Sequence, residues 1–298
     1  MTDLLQYLAA GLSLGSVYAL ICLGFVVIYR ATGVINFAQG GLVVLGAYLT
    51  HQLVARLGLP FAPGLLLAML GVAAFGLLLE RFVLRPMVGQ PVFAIILITL
   101  GVLFVLEQVC AAIWGYDVLL MGDPWGVRTV TLAGAAVKVA DLWTIAAALA
   151  TLGGFFALFR LTTIGIAMRA GASDPEAALA HGISPRAIHG LAWAIAGAVA
   201  CVAGVLLAAG PRGVDLTLSA VAFRAFPAMI LGGLDSAEGA VAGGLVIGLV
   251  EVFTAAYVTP AAPFLGANFH VVMPYLVMIA ILVVRPYGLF GTHEVRRV

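Results

Sequence analysis

From position 4 to position 29 the chain carries no charged side chain, and this one run limits what it can fold into. A bilayer core about 30 Å thick is crossed by a helix of roughly 20 apolar residues. A helix apolar on every side belongs in a membrane or in the centre of a large protein. Further apolar stretches follow at 40–54, 61–79, 92–114, 142–159, 188–210, 221–234, 239–258 and 269–284. The stretches 40–54 and 221–234 are short for a crossing, so the expectation is eight to ten spans, some short or broken. The fold class read from this pattern is an all-α polytopic transmembrane helix bundle, a single domain over 1–298.

Composition excludes the alternatives. Charged residues make up 9% of the chain and apolar residues 64%, whereas a soluble domain carries about 25% charge. Too little charge is present to cover a water-facing surface, and disorder requires the opposite balance. A net charge of +1 supplies no basic face for phosphate, so nucleic acid is not an expected partner. Cys22, Cys110 and Cys201 each sit in an apolar run without metal-site spacing, and they read as small buried hydrophobes. The first segment has only Asp3 before it and is too long for a cleaved signal.

Basic residues set the expected orientation. With the N-terminus outside, Arg30, Arg81, Arg85, Arg160, Arg169, Arg186, Arg285, Arg296 and Arg297 fall in the cytoplasm. Arg56, Arg128, Lys138 and Arg212 fall on the other side. That asymmetry follows the positive-inside rule and predicts N-terminus out, C-terminus in. Two connections exceed a tight turn: an external one over 115–141 and a cytoplasmic one over 160–189.

The cytoplasmic segment has the most structured polar sequence. Ser173 and Glu176 have the spacing of a capping box, with Pro175 in the first turn. A helix of about two turns over 176–181 is predicted to end at Gly182, and Ser184-Pro185 to start the next. A helix this short is marginal in water alone. Either it rests on its own membrane domain or something docks on it.

At this point the sequence resembles a known family. Glu176-Ala177-Ala178-x-x-x-Gly182 is similar to the E-A-A-x-x-x-G core of the cytoplasmic loop in ABC-importer permeases, although the longer hydrophobic tail of that motif is absent. The stretches Gly33-Val34-Ile35-Asn36-Phe37-Ala38-Gln39-Gly40, Gly11-Leu12-x-x-Gly15-Ser16-x-Tyr18-Ala19-Leu20, Leu231-Gly232-Gly233-Leu234-Asp235-Ser236-x-x-Gly239 and Arg285-Pro286-x-Gly288-Leu289-Phe290-Gly291 resemble LivH-type permeases of branched-chain amino acid importers. The resemblance implies a coupling helix made of Asp174, Pro175, Glu176, Ala177, Ala178, His181 and Gly182, docked on an ATPase. It also implies partners: a second permease subunit, homologous or identical, two cytoplasmic ABC ATPases and a periplasmic substrate-binding protein, all acting at the bacterial inner membrane. The expected cargo is a branched-chain or related small amino acid. Urea, short amides and small organic acids are the alternative within the broader family.

Polar groups at membrane depth mark a pathway independently of resemblance. Short, Gly-interrupted segments in two halves point to a transporter's central site, and 40–54 and 221–234 qualify. A four-residue echo, Ala38-Gln39-Gly40-Gly41 against Ala237-Glu238-Gly239-Ala240, suggests a direct repeat. Asn36, Phe37 and Gln39 lie at a helix break that reads either as a pathway wall or as a plain cytoplasmic turn. Glu107, Arg224 and Glu251 fall within apolar segments, where charge is costly without a partner. Arg224 is therefore expected to pair with Glu107 or Glu251, unless it snorkels outward. Gly11/Gly15, Gly239/Gly243 and Gly244/Gly248 have the spacing of helix-packing seams.

No P-loop, H-E-x-x-H pair or serine nucleophile motif occurs in the sequence, and no catalytic, metal or cofactor residue is assigned. The contrasting class is an ion-coupled secondary transporter, with Glu107 and Glu251 as its titratable groups.

Overall fold

A computed structural model describes residues 2–121, 128–132, 134–209 and 212–291. Arg296 and Arg297, used above, lie outside the described residues, as does part of the 115–141 connection. The chain is almost entirely helical. Its helices are α1 (Thr2–Thr32), α2 (Gln39–His51), α3 (Phe61–Leu79), α4 (Val92–Trp114), α5 (Val139–Leu161), α6 (Thr163–Ser173) and α7 (Pro175–Ala180). They continue with α8 (Pro185–Ala208), α9 (Leu218–Arg224), α10 (Phe226–Gly232), α11 (Ala237–Phe253), α12 (Thr259–Ala261) and α13 (Phe269–Val284). Among the described residues six helical segments are long and apolar enough to cross a membrane, and 218–232 and 269–284 are shorter apolar helices. With α2, these account for the nine apolar stretches of the sequence.

Two helices form the centre. The most apolar 18 residues of the α1 segment are 89% buried and those of α8 78%, against 17–33% for the other four long segments. Apolarity does not separate these groups, because lipid-facing and core-facing helices are equally greasy. Small residues do. In α8, Gly190, Gly197 and Gly204 recur every seven residues and put one bare stripe along the helix. A Cβ on Gly197 would stand 2.7 Å from the Val72 carbonyl of α3, and one on Gly204 would strike the Val43 carbonyl of α2. Gly15 of α1 meets Leu245 and Gly244 of α11 in the same way, and Gly243 meets Ala228 of α10. The predicted glycine seams therefore close inside this subunit, by van der Waals packing of backbones.

The C-terminal motif has a structural task. The last carbonyls of α10 lack intrahelical donors. Leu289 N–H donates to the Leu231 carbonyl at 2.8 Å, and Phe290 N–H to the Gly232 carbonyl at 3.1 Å. Gly233 and Gly288, with φ of +107° and +77°, make the turns that bring the 231–239 and 285–291 motifs together.

Several expectations change. The 160–189 segment holds two helices, because α6 precedes α7; Thr162 caps it by accepting the Gly165 N–H. The cap of α7 is Asp174 rather than Ser173, which ends α6. Ser184 starts α8 without a side-chain capping bond. The 115–141 connection contains an antiparallel hairpin of β1 (Thr129–Leu132) and β2 (Ala135–Lys138), turned at Gly134 with φ +83°. The four-residue echo stops at sequence: Gln39 is fully buried, whereas Glu238 is exposed and pairs with Arg160 at 2.8 Å.

Candidate translocation site and cytoplasmic docking helix

The arginines read as cytoplasmic gather at one end of the bundle. Arg30 and Arg169 both lie over the Phe159 ring, at 5.6 and 5.4 Å from its centroid, and Arg160 reaches Glu238 at the start of α11. Depth along the bundle is counted from this end, using 1.5 Å per helical residue.

The connection between α1 and α2 does not stay at the surface. The Gln39 side chain occupies the space beside Gly24, and its Nε2 donates to the Ala196 carbonyl at 3.5 Å. Gly24 precedes the end of α1 by eight residues, which is about 12 Å of depth. The break between α9 and α10 reaches a similar level: the Cys22 thiol, about 15 Å above the end of α1, donates to the Ala225 carbonyl at 3.2 Å. Both interruptions thus sit near the middle of a hydrocarbon core about 30 Å thick. Pro227, in the first turn of α10, gives a local reason for the second break, since proline supplies no N–H to continue the helix.

Aromatic rings join the two breaks. Phe37 stacks on Phe226 with centroids 5.7 Å apart and on Phe223 at 6.3 Å. Phe25 of α1 meets Phe226 edge-on at 5.9 Å. The Phe37 N–H donates to Thr99 Oγ1 of α4 at 3.2 Å, so the free end of the broken backbone is satisfied. Asn36 is 1% exposed; its Oδ1 accepts the Ala38 N–H at 2.9 Å, while its Nδ2 has no partner among the described residues. Gln39 Oε1 is likewise unpaired.

The charges at depth find partners on different helices. Tyr18 of α1 donates its hydroxyl to Glu251 of α11 at 2.5 Å, and Arg224 Nη1 stands 3.8 Å from the other Glu251 oxygen. Arg224 therefore pairs with Glu251. Glu107 of α4 instead accepts the Ser219 hydroxyl of α9 at 2.5 Å. The structure brings Asn36, Phe37, Gln39, Arg224 and Glu251 around one junction, with Glu107 toward the opposite end of α9. Tyr18, Ser219, Phe223 and Phe226 complete it, and the sequence reading had assigned none of them a role there. The Phe223-Arg224-Ala225-Phe226-Pro227 run was the available signal, an arginine and a proline inside an apolar stretch.

A third Glu, Glu80, was not assigned from the sequence because it sits at a segment's edge. After α3 the helix continues through a π-turn at Glu80–Leu84, so the span runs on to Met87. Glu80 is buried, and both its oxygens bind Arg85: Nη2 at 2.6 Å and Nε at 3.2 Å.

The short helix α7 is built as a closed unit at the arginine-rich end. Asp174 Oδ1 accepts the N–H groups of Glu176 and Ala177 at 3.1 and 3.0 Å. At the other end Ile183 N–H reaches the Ala178 carbonyl and Gly182 N–H the Leu179 carbonyl, with Gly182 at φ +81°. That double return past a left-handed glycine is a Schellman motif, and His181 is the C-cap. Ala178 faces inward, whereas Asp174, Glu176, Ala177, His181 and Gly182 are exposed. Leu179, absent from the predicted set, is 59% exposed on the same helix.

Comparison with known proteins places this architecture. The family described as "Branched-chain amino acid transport system / permease component" matches residues 7–282. The chain belongs to this family. Among its relatives, the high-affinity branched-chain amino acid transport system permease proteins LivH of Salmonella typhimurium and Escherichia coli are each 31% identical over 99% of this chain and 97% of their own. BraD of Pseudomonas aeruginosa is 29% identical over 99% of this chain and 98% of its own. As a family member the chain is a multi-pass permease component of a transport system, and its six long apolar segments agree.

Proposed function

We propose that this permease is the membrane subunit of an ABC importer that moves branched-chain or related small amino acids across the bacterial inner membrane. Its expected assembly contains a second permease subunit, two cytoplasmic ATPases and a periplasmic binding protein, with lipid around the outer helices. The observation that carries this reading is the pairing of a broken-helix junction at mid-depth with a capped, outward-facing helix at the arginine-rich end. Family relatives named as branched-chain amino acid permeases supply the cargo class.

The division of labour follows from the geometry. No group in the junction does covalent chemistry. ATP-driven closure of the partner ATPases moves the docked helix α7, and that motion passes through α6 and α8. A docked helix shifts an equilibrium only if it binds differently in the two states. At the junction, Phe37 against Phe223 and Phe226 closes the path, and separation of α2 from α9–α10 opens it. The N-terminus lies outside and α7 in the cytoplasm.

The decisive experiment is reconstitution with the neighbouring ATPases and binding protein in nanodiscs. Leucine-loaded binding protein should raise ATP hydrolysis several-fold, and Glu176→Lys should remove the stimulation while leaving the permease folded. Uptake by the purified chain alone in liposomes, driven by an ion gradient, would overturn the reading.

A further inference from the structure

A cavity of about 240 Å³ lies between the end of α1, the α3–α4 connection and the first turns of α8. It adjoins the aromatic contact through Asn36 and Thr99 and extends from there to Thr32 at the end of α1 and to Arg85. Its size is below the roughly 300–1,000 Å³ of drug-sized pockets, which suits a molecule of amino-acid dimensions. Most of its wall is apolar, with Ile95 of α4 and Trp193 of α8 among the residues that line it.

The polar lining is rich in unused donors. Asn36 contributes a buried amide NH₂ with no acceptor among the described residues. A buried donor without a partner is unfavourable, so the site favours an acceptor there. Arg85 spends two of its five N–H donors on Glu80 and lines the cavity with a side chain that is 34% exposed. His189 stands within the field of both members of that ion pair. Each Glu80 oxygen engaged by Arg85 retains a second lone pair, which suits an ammonium group. Donors for a carboxylate, an anion for an ammonium and an aliphatic wall together describe an apolar zwitterion.

We propose that this cavity is a cytoplasmic-side binding site for an apolar α-amino acid, held chiefly through its carboxylate by Arg85 and Asn36. The proposal rests on the importer reading above for the identity of the solute. It adds a site that adjoins the Phe37 junction through Asn36 and is occupied from the cytoplasm after the solute has crossed.

The test is equilibrium binding of radiolabelled leucine to the assembled complex in nanodiscs, with the periplasmic protein left out. Saturable binding is expected. Leucinol, which lacks the carboxylate, should compete at least tenfold more weakly than leucine. The matching keto acid, which lacks the ammonium, should compete better than leucinol. Ile95→Trp fills the cavity without touching a polar group and should weaken binding at least tenfold, as should Glu80→Gln/Arg85→Gln, which replaces the ion pair as a unit. If Ile95→Trp fails to assemble, Val92→Trp enters the same cavity from the start of α4 and carries the same expectation. Absence of saturable binding, or wild-type affinity in an assembled Trp variant, would overturn the site. Failure of the importer reading shows elsewhere: loaded binding protein would not stimulate hydrolysis by the wild-type complex in the same nanodiscs.

Discussion

Charge at depth is the informative quantity at the residue scale, and the structure gives each case its partner. Glu251 is 5% exposed and held by Tyr18 more closely than by Arg224. Removing the phenol leaves a buried carboxylate with one distant cation. Tyr18→Phe should therefore destabilise the bundle by about 1.5–3 kcal/mol, the range for a hydrogen bond to a charged group, read from unfolding in detergent. Arg224 and Glu251 form a second test. Each single alanine variant should lower uptake, and the double variant should lose less than the sum, because neighbours sharing a contact couple. Strict additivity would show that the 3.8 Å pair is incidental. Sequence alone left Arg224 either pairing with Glu107 or Glu251 or snorkelling outward. Position along α9 decided it: Glu107 meets Ser219 in the first turn, whereas Arg224 ends the helix beside Glu251.

At the scale of elements, α7 shows how local signals are read and misread. The stop at Gly182 was legible because a left-handed position after a short helix strongly favours glycine. The start was misplaced by one residue. Ser173 satisfies the capping-box pattern, but α6 claims it, and the Asp174 carboxylate then caps α7. Asp174→Ala should cost α7 about 1 kcal/mol, a common value for a lost N-cap. Because α7 protrudes, the unfolding midpoint of the bundle should hardly move, whereas stimulated ATP hydrolysis should fall. Leu179→Asp makes a sharper version of the test. Its side chain is mostly exposed, so reduced hydrolysis at unchanged stability would locate a docked surface at this helix. In α8 the seven-residue glycine stripe was present in the sequence and is the signal that separates a core helix from a lipid-facing one. Gly197→Leu should prevent folding, since a side chain there meets the α3 backbone and cannot be absorbed by a rotamer change.

For the whole molecule, orientation is the property most open to direct measurement. Cys22, Cys110 and Cys201 are fully buried, so the native thiols offer little background for impermeant labels. Leu57→Cys, in the exposed α2–α3 connection, should label from outside intact cells, and Leu179→Cys only after the membrane is opened. The reverse pattern would invert the assigned topology. By itself the sequence determined that this chain is a membrane helix bundle, with its segments, its arginine-rich end and its short capped helix, because bilayer thickness, positive charge and capping chemistry act along the chain. Only the tertiary structure decided that α1 and α8 form the centre, that two helix breaks meet at mid-depth through Phe37, and that Glu80, Arg85 and Asn36 share a cavity. The reason is physical: in a solvent as apolar as the core, hydrophobicity no longer tells inside from outside, and the choice passes to backbone approach and polar pairing between distant segments.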